Sequence, residues 1–394
     1  MEIKGMEKDM EKMFALTAIR SEKIASTPAA IDLNDPIKNL VQTLHPAYLN
    51  LRLDSIIDET ATTRTFRFLS NEKDKPLPYF RAGQYISLKP IVGNTKITRP
   101  YTISSAPHQA ESFYELTIRH KENGFLTDHI WNKWKPGITV DATGPHGNFY
   151  FDPLRDKNSI IALAGGSGIT PFRSMIRSMF NGRGEVNITL VYGNRIVDDI
   201  IFHEELQSYA DQNPKMLEVI YVISEPSGKW NGRTGFIDGE LIRELAGNLK
   251  GNSYFICGPP EMHGFCLDQL SSLNIPQRLI RQEITGPVDD ITTDPDFPKE
   301  YIGKTFTISY QLRGKQGRLK AAAVETVLTA FEKAGLGPES QCRSGECGYC
   351  RSRLLSGDVF IESNCDGRRA ADFKYGYIHP CSTYPLSELE VVIT

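Results

Sequence analysis

Long apolar runs are missing from this 394-residue chain: none approaches the roughly 18 to 20 apolar residues that a membrane-spanning helix needs. The first 26 residues, charged throughout, also lack the apolar core of a signal peptide. A basic excess is missing as well, with 45 Lys and Arg against 48 Asp and Glu and a formal charge of -3. Nothing overall favours a phosphate backbone, so nucleic acid is not an expected partner. These absences predict a cytoplasmic protein with no membrane span. Cysteine is scarce, seven in all, yet five lie beyond residue 340 and three of those fall within nine positions. Such crowding reads as metal ligands more than as a disulfide framework.

At this length one compact core is exceeded and a multidomain chain is expected. Residues 1–46 carry a Lys/Glu-rich start and a short amphipathic pattern from Asp35 to Leu44, without any chemical motif, and stay unassigned. Short alternating or β-branched runs at 51–57, 63–69, 85–90, 114–120 and 138–143, separated by Gly, Pro and Asn, predict an antiparallel β-barrel over 47–152. The period then changes. Apolar runs at 159–164, 186–191, 217–223 and 253–257 alternate with helix-length stretches at 172–180, 200–210 and 261–273, which predicts a doubly wound parallel α/β sheet over 153–285. The Pro- and Asp-rich stretch 286–300 reads as a linker. Residues 301–394 offer a strand at 306–312, a Gly-containing turn, a helix at 322–334, a cysteine loop and a last strand at 389–393, the order of a small β-grasp domain.

Cys342, Cys347 and Cys350 form C-x4-C-x2-C, and Cys381 follows after 30 intervening residues. This is the spacing of plant-type [2Fe-2S] sites, in which four thiolates hold two irons. Zinc sites more often pair two short hooks. Gly345 and Gly348 let the loop wind tightly enough to aim backbone N–H groups at the sulfurs, and such bonds help set a reduction potential. On these residues, 302–394 resembles the plant-type ferredoxin family. The resemblance implies that Cys381 is the fourth ligand. Cys365 is the competitor, because reductase subunits like those of dihydroorotate dehydrogenase use a shorter final spacing, although they lack a full ferredoxin domain.

Arg99-Pro100-Tyr101-Thr102-Ile103-Ser104 ends a strand of the expected barrel. A guanidinium suits a pyrophosphate, an aromatic face a flavin ring and a hydroxyl a ring nitrogen; a buried Arg-x-Tyr by itself is commonly plain structure. Gly124-Phe125-Leu126-Thr127 precedes an expected helix at 128–134, whose free N–H groups suit a flavin phosphate. With Gly144-Pro145-His146-Gly147 at the barrel's end, these segments resemble the flavin signature of the ferredoxin-NADP reductase superfamily. The resemblance implies FAD, with FMN the less expected flavin, and binding by Arg99, Pro100, Tyr101, Thr102, Ser104, Gly124, Leu126 and Thr127.

Gly165-Gly166-Ser167-Gly168-Ile169-Thr170-Pro171 lies between an apolar strand and a helix, where glycines let the backbone approach a pyrophosphate and Pro171 suits the first helical turn. Ordinary strand-to-helix turns use Gly too; the position after the barrel makes this one informative. It resembles the GGxGxTP signature of the same superfamily, and Cys257-Gly258-Pro259 resembles its CGP motif. The resemblance implies that Thr170 lies between dinucleotide and flavin and that Cys257 helps place nicotinamide C4 near flavin N5. Thr102 and Cys257 are then the catalytic candidates, and Gly165, Gly166, Gly168, Thr170, Pro171, Glu225, Cys257, Gly258 and Pro259 the nicotinamide-side contacts. Glu225 would repel a 2′-phosphate and accept a ribose hydroxyl, so NADH is expected ahead of NADPH, with Arg195 and Arg233 as cations that could offset the charge. Ile284 stands where relatives place an aromatic after the Glu of Arg281-Gln282-Glu283.

The resemblance spans about residues 50–394. It implies a reductase that takes a hydride from NADH onto a flavin and passes single electrons through the cluster to a partner protein: an oxygenase, a hybrid-cluster protein or another terminal acceptor. Two rivals stay open. One is a diaphorase whose flavin reduces a small acceptor directly; the other is a redox subunit that docks on a larger complex through residues 1–46.

Overall fold

The computed structural model describes residues 6–27, 35–73, 75–122, 124–182, 186–228, 230–283, 286, 290–362 and 365–393. It divides into two units, Met1–Leu44 and His45–Thr394. The first holds α1 (Met6–Ala25) and α2 (Pro36–Leu44). Asp35 starts α2 as an N-cap, its Oδ1 accepting from the N–H groups of Ile37 and Lys38 at 3.0 and 3.2 Å. The amphipathic pattern anticipates α2 alone; α1 forms from a stretch rich in Met, Glu, Lys and Ala that contains neither Gly nor Pro. Among the described residues no helix is long and apolar enough to cross a membrane.

The second unit begins with β1 (Leu49–Thr60), β2 (Thr63–Ser70), β3 (Tyr85–Lys89), a small hairpin of β4 (Ile91–Val92) and β5 (Thr95–Lys96), β6 (Arg99–Thr102), β7 (Tyr114–Arg119), α3 (Phe125–Lys133) and β8 (Thr139–His146). Six strands form one antiparallel sheet in the order β6-β3-β8-β1-β2-β7, and a bridge from Ile103 to Leu116 joins its two edges into a barrel. Alternation does the sorting: Leu49, Leu51 and Leu53 point inward with Phe66, Phe68, Ile86 and Leu88. Leu126 and Ile130 of α3 enter the same core, and Trp134 meets Phe66 and Phe68 edge-on at 5.8 and 6.0 Å.

The chain continues through β9 (Ser159–Gly165), α4 (Thr170–Phe180), β10 (Asn187–Asn194), α5 (His203–Gln212), β11 (Leu217–Ile223), β12 (Arg233–Thr234), α6 (Gly239–Ala246), β13 (Ser253–Cys257), α7 (Pro260–Ser272) and β14 (Ile280–Glu283). All six strands are parallel, in the order β12-β11-β10-β9-β13-β14. The winding reverses between β9 and β13, so the carboxyl ends of these two strands flank the crevice in which such sheets bind ligands. Asp238, which accepts from the Leu241 N–H at 2.9 Å, starts α6, a helix that the apolar-run pattern passes over.

The last portion holds β15 (Thr305–Leu312), β16 (Lys315–Ala322), α8 (Val327–Lys333), β17 (Ser352–Ser356), β18 (Val359–Ile361), α9 (Ala370–Tyr375), β19 (Tyr377–Ile378), β20 (Thr383–Pro385) and β21 (Leu389–Ile393). Its sheet runs β16-β15-β21-β17-β19, with β15 and β21 parallel, and Val327, Ala330 and Phe331 of α8 pack on Ile308 and Val391, giving the β-grasp arrangement. Two expectations are corrected. The helix expected at 322–334 begins at Val327: Arg313 and Gly314, both at positive φ (50° and 77°), close a hairpin turn into β16, which runs to Ala322, and Thr326 Oγ1 caps α8 by accepting from the Thr329 N–H at 3.2 Å. The expected linker 286–300 is packed from residue 290 onward, with Ile291 and Phe297 buried against Tyr384; residues 287–289 lie outside the described ones.

Candidate functional site

Cys342, Cys347 and Cys350 sit between α8 and β17, and Cys381 on the turn after β19. The four thiols converge: Cys342 is within hydrogen-bonding reach of Cys347 and Cys381, and Cys381 of Cys350. Backbone N–H groups aim at the same sulfurs, from Ser344 and Cys347 to Cys342 Sγ (3.5 and 3.4 Å), from Gly345 to Cys381 Sγ (3.3 Å) and from Tyr349 to Cys347 Sγ (3.4 Å). Donors gathered around sulfur fit thiolates that hold a [2Fe-2S] cluster. The winding uses positive φ at Arg343, Gly345 and Gly348 (60°, 77° and 69°). At Gly345 only glycine fits, because a Cβ would fall 1.8 Å from the Cys365 carbonyl oxygen. Cys365 thus supports the loop through its carbonyl, while its thiol is turned to Glu362.

In the barrel, β6 pairs antiparallel with β3, setting Thr102 opposite Tyr85 and Tyr101 opposite Ile86. Arg99 Nη1 donates to the Thr98 carbonyl at 2.7 Å and to both carboxylate oxygens of Glu332, on α8, at 3.2 Å. Glu332 accepts from Arg343 Nη1 as well, at 2.7 Å. Two guanidiniums share one carboxylate, and the surplus positive charge fits a flavin phosphate. Burial pushes the Tyr101 phenol up to about 12, with Arg99 and Arg343 opposing, so the ring is neutral.

The side chains of several other expected flavin contacts also have partners within the protein. Ser104 Oγ donates to the Glu115 carbonyl at 3.1 Å and lies 2.9 Å from Thr117 Oγ1, because a fully buried hydroxyl needs internal partners. The Leu126 side chain is core, and Thr127 Oγ1 donates to the Lys121 carbonyl at 3.0 Å, closing the turn. Gly124 is the N-cap of α3, where a Cβ would meet Thr127 Oγ1 at 2.3 Å. Arg99 and the N-terminal N–H groups of α3 are the groups expected to meet the flavin phosphates. Replacing Arg99 by Gln is expected to weaken flavin binding about 10- to 100-fold, the worth of roughly 1.5–3 kcal/mol for a hydrogen bond to a charged group, as measured by fluorescence titration of the apoprotein.

On the nicotinamide side, Gly165 ends β9, a short turn follows, and α4 starts at Thr170 with Pro171 in its first turn. This turn presses against the end of β13: a Cβ on Gly168 would lie 2.1 Å from the Cys257 carbonyl oxygen, and one on Gly165 3.0 Å from Pro259. Gly165 also abuts Gly258, and Gly166 takes a positive φ of 50°. The two motifs thus face each other across the point where the sheet reverses. Thr170 Oγ1 donates to the Ser167 carbonyl at 3.2 Å. Burial, reinforced by Glu283, pushes the Cys257 thiol well above its ordinary value, so it is a neutral packing surface and not a nucleophile. Glu225 is exposed with its carboxylate 3.9 Å from Arg195, whereas Arg233 is engaged by Glu244.

Residues of all three domains meet at one narrow cleft. Tyr85, Pro100 and Thr102 of the barrel, Glu283 at the end of β14, and Cys342, Ser344 and Glu346 of the cysteine loop form its walls. The loop is fastened to β3, with Ser87 Oγ donating to the Gln341 carbonyl at 3.2 Å and Lys89 paired with Glu339 at 3.0 Å. Barrel and parallel sheet are joined by a buried ion network: Glu115 of β7 accepts from Arg67 (2.7 Å) and from Arg173 and Arg177 of α4 (2.8 and 3.0 Å), and both α4 arginines also hold Glu205 of α5. Sequence reading missed Tyr85, Glu332 and Glu115 as site or joining residues, because their neighbours belong to other domains and no local pattern marks them. Ile284 lies outside the described residues.

Burial first, then the charges of Glu346 and Cys342, push the Glu283 carboxyl up to about 8. It is neutral at pH 7 and anionic above about 8, where its charge would oppose placing electrons in the cleft. Flavin reduction by NADH is accordingly expected to slow as pH rises through 8, and Glu283→Gln to remove that inflection; stopped-flow rates between pH 6 and 9.5 check it.

Comparison with known proteins follows the same three parts. The family model for the oxidoreductase FAD-binding domain matches residues 50–151, that for the oxidoreductase NAD-binding domain residues 162–268, and that for the 2Fe-2S iron-sulfur cluster binding domain residues 311–386. The chain is 27% identical over 354 residues to the glycine betaine monooxygenase reductase subunit of Chromohalobacter salexigens, covering 87% of this chain and 94% of that one. It is 34% identical over 231 residues to NADH-cytochrome b5 reductase 1 of Dictyostelium discoideum, covering 57% and 78%. Among solved structures, phthalate dioxygenase reductase superposes with a TM-score of 0.63 over 88% of this chain and 97% of that one at 22% identity, a likeness of fold.

Proposed function

The chain belongs to the flavoprotein reductases of the ferredoxin-NADP reductase superfamily that carry a C-terminal [2Fe-2S] domain, and from that premise we propose that its acceptor is an oxygenase component. It is an NAD(P)H-dependent electron-transfer reductase; NADH is the donor we assign, since the Glu225 carboxylate would repel a 2′-phosphate with only Arg195, 3.9 Å away, to offset it, while Arg233 is engaged by Glu244. We read its location as cytoplasmic, supported by the three cysteines outside the cluster set, Cys257, Cys266 and Cys365, each a free thiol.

The observation that carries the reading is the shared cleft, in which Thr102 of the flavin motif and Cys342 of the cysteine loop line the same walls. FAD held by Arg99, Tyr101 and Thr102 would supply the exchange between a two-electron nicotinamide donor and the one-electron cluster that Cys342, Cys347, Cys350 and Cys381 would hold. The chain's own residues supply placement. Arg99 is assigned to the flavin phosphates, the Tyr101 ring to one flavin face and the Thr102 hydroxyl to a ring nitrogen. Gly165, Gly166 and Gly168 let the backbone close on the dinucleotide, and the neutral Cys257 thiol gives the nicotinamide an apolar wall. Glu283, protonated at neutral pH, adds no charge to the cleft.

Anaerobic titration with NADH and separately with NADPH, followed by flavin absorbance and low-temperature EPR, tests the reading. NADH is expected to bleach the flavin while about one [2Fe-2S] spin per chain grows in, at lower concentration than NADPH. Bleaching with no cluster signal would overturn it.

A further inference from the structure

The cysteine loop has a second contact that the electron path from the flavin does not use. Gly345, Glu346 and Gly348 pack against the segment around α9: a Cβ on Gly367 would fall 2.7 Å from the Glu346 Cα and the Gly345 carbonyl oxygen, and His379, hydrogen-bonded to that carbonyl, lies 3.9 Å from Asp372 of α9. One layer of side chains thus separates the loop from the outer face of α9.

That face has an unusual make-up. Asp372 is the helix's one carboxylate, and it is turned inward, accepting from the Arg369 N–H at 2.9 Å and pairing with Arg351 at 2.6 Å. Asp366, just before the helix, is neutralised by a two-pronged pair with Arg368, both contacts 2.8 Å. What remains outward is Arg369, Phe373, Lys374 and Tyr375, the two rings more than half exposed at 57% and 56%. Arg368 lies over the Phe373 ring at 4.2 Å and holds it in place. Exposed aromatics flanked by cations are the composition of an interface centre, and they stand out on a chain whose formal charge is -3.

We propose that the outer face of α9 is the docking surface through which the cluster hands electrons to an acidic protein, one whose own docking face presents carboxylates around an apolar spot. This rests on the electron-transfer reading above. Complementary charge steers encounter and sets register, while Phe373 and Tyr375 supply the apolar contact that slows dissociation.

The test uses the full-length holoprotein and two one-electron protein probes, the acidic soluble domain of cytochrome b5 and the basic cytochrome c, each corrected for reduction by the Cys347→Ser protein. The double variant Arg369→Glu/Lys374→Glu is expected to reduce cytochrome b5 at least about tenfold more slowly at low salt, to lose most of its salt dependence, and to reduce cytochrome c no more slowly than the parent. Phe373→Ala should slow cytochrome b5 reduction without altering the salt dependence. If cytochrome b5 reduction is unchanged, or both probes slow equally, the surface is wrong. The NADH-driven EPR signal is recorded in the same samples: its absence from the parent protein would instead overturn the underlying electron path, and its loss only from the double variant would show that the substitutions damage the cluster domain and would count against the surface.

Discussion

The Cys347→Ser protein is expected to reduce its flavin with NADH at close to the parent rate and to deliver almost nothing to a protein acceptor. Cys347 is the exposed member of the converging four, and its sulfur accepts the Tyr349 N–H at 3.4 Å. A serine oxygen is a hard donor where iron–sulfur chemistry prefers soft thiolate. Losing an outer-shell partner of a metal site costs roughly 10- to 100-fold, and losing a ligand should cost more. The flavin and nicotinamide motifs do not contain this residue, so their step is spared. Delivery is measured as cytochrome b5 reduction, with visible absorbance reporting cluster content. Persistent delivery by a cluster-free protein would mean that the flavin acts on acceptors directly, which is the diaphorase reading.

A second large effect is expected at Glu115. Burial alone would raise its carboxyl, but Arg173, Arg67 and Arg177 together hold it below the ordinary glutamate range. The side chain is 2% exposed. Glu115→Ala removes the common partner of three guanidiniums and leaves Glu205 to answer for Arg173 and Arg177, so a buried charge goes uncompensated. Breaking a buried pair from one side costs on the order of 3–5 kcal/mol. Because the network ties β7 to α4, the variant should melt several degrees lower in flavin-saturated buffer and also reduce its flavin more slowly. Replacing Glu115, Arg173 and Arg177 together with apolar residues of similar volume should recover much of the stability without recovering the rate. The sign with pH follows from the lowered carboxyl: the stabilisation is complete above the ordinary glutamate value and disappears as pH falls through the depressed one. A cost below about 1 kcal/mol for Glu115→Ala would show that the domains are held by other contacts.

What the sequence made legible was local. Four cysteines at ferredoxin spacing, the Arg-x-Tyr-Thr strand and the glycine turn each carry their chemistry in a few consecutive residues, and the strand periods placed them on the right kind of element. The misses have a common physical cause. The helix expected from residue 322 starts only at Val327, because Ala322 pairs with Thr305 at the end of β16 and Thr326 supplies the cap. Glu332 and Glu115 matter through partners 233 and 58 positions away, a relation that no window of sequence displays.

The fastening of Gln341 to Ser87 bridges 254 positions, and the whole nicotinamide domain lies between them. That spacing orders the protein's birth. Barrel and parallel sheet are complete once residue 283 has left the ribosome, while the loop that empties them comes near the end. At about 5–20 residues per second the 98 residues from there to Cys381 take roughly 5 to 20 s to appear. During that interval a flavin-loaded nascent chain has no path to a protein acceptor, and oxygen is the acceptor left to it. A premature stop after residue 283 should therefore yield a futile oxidase in place of an inert fragment.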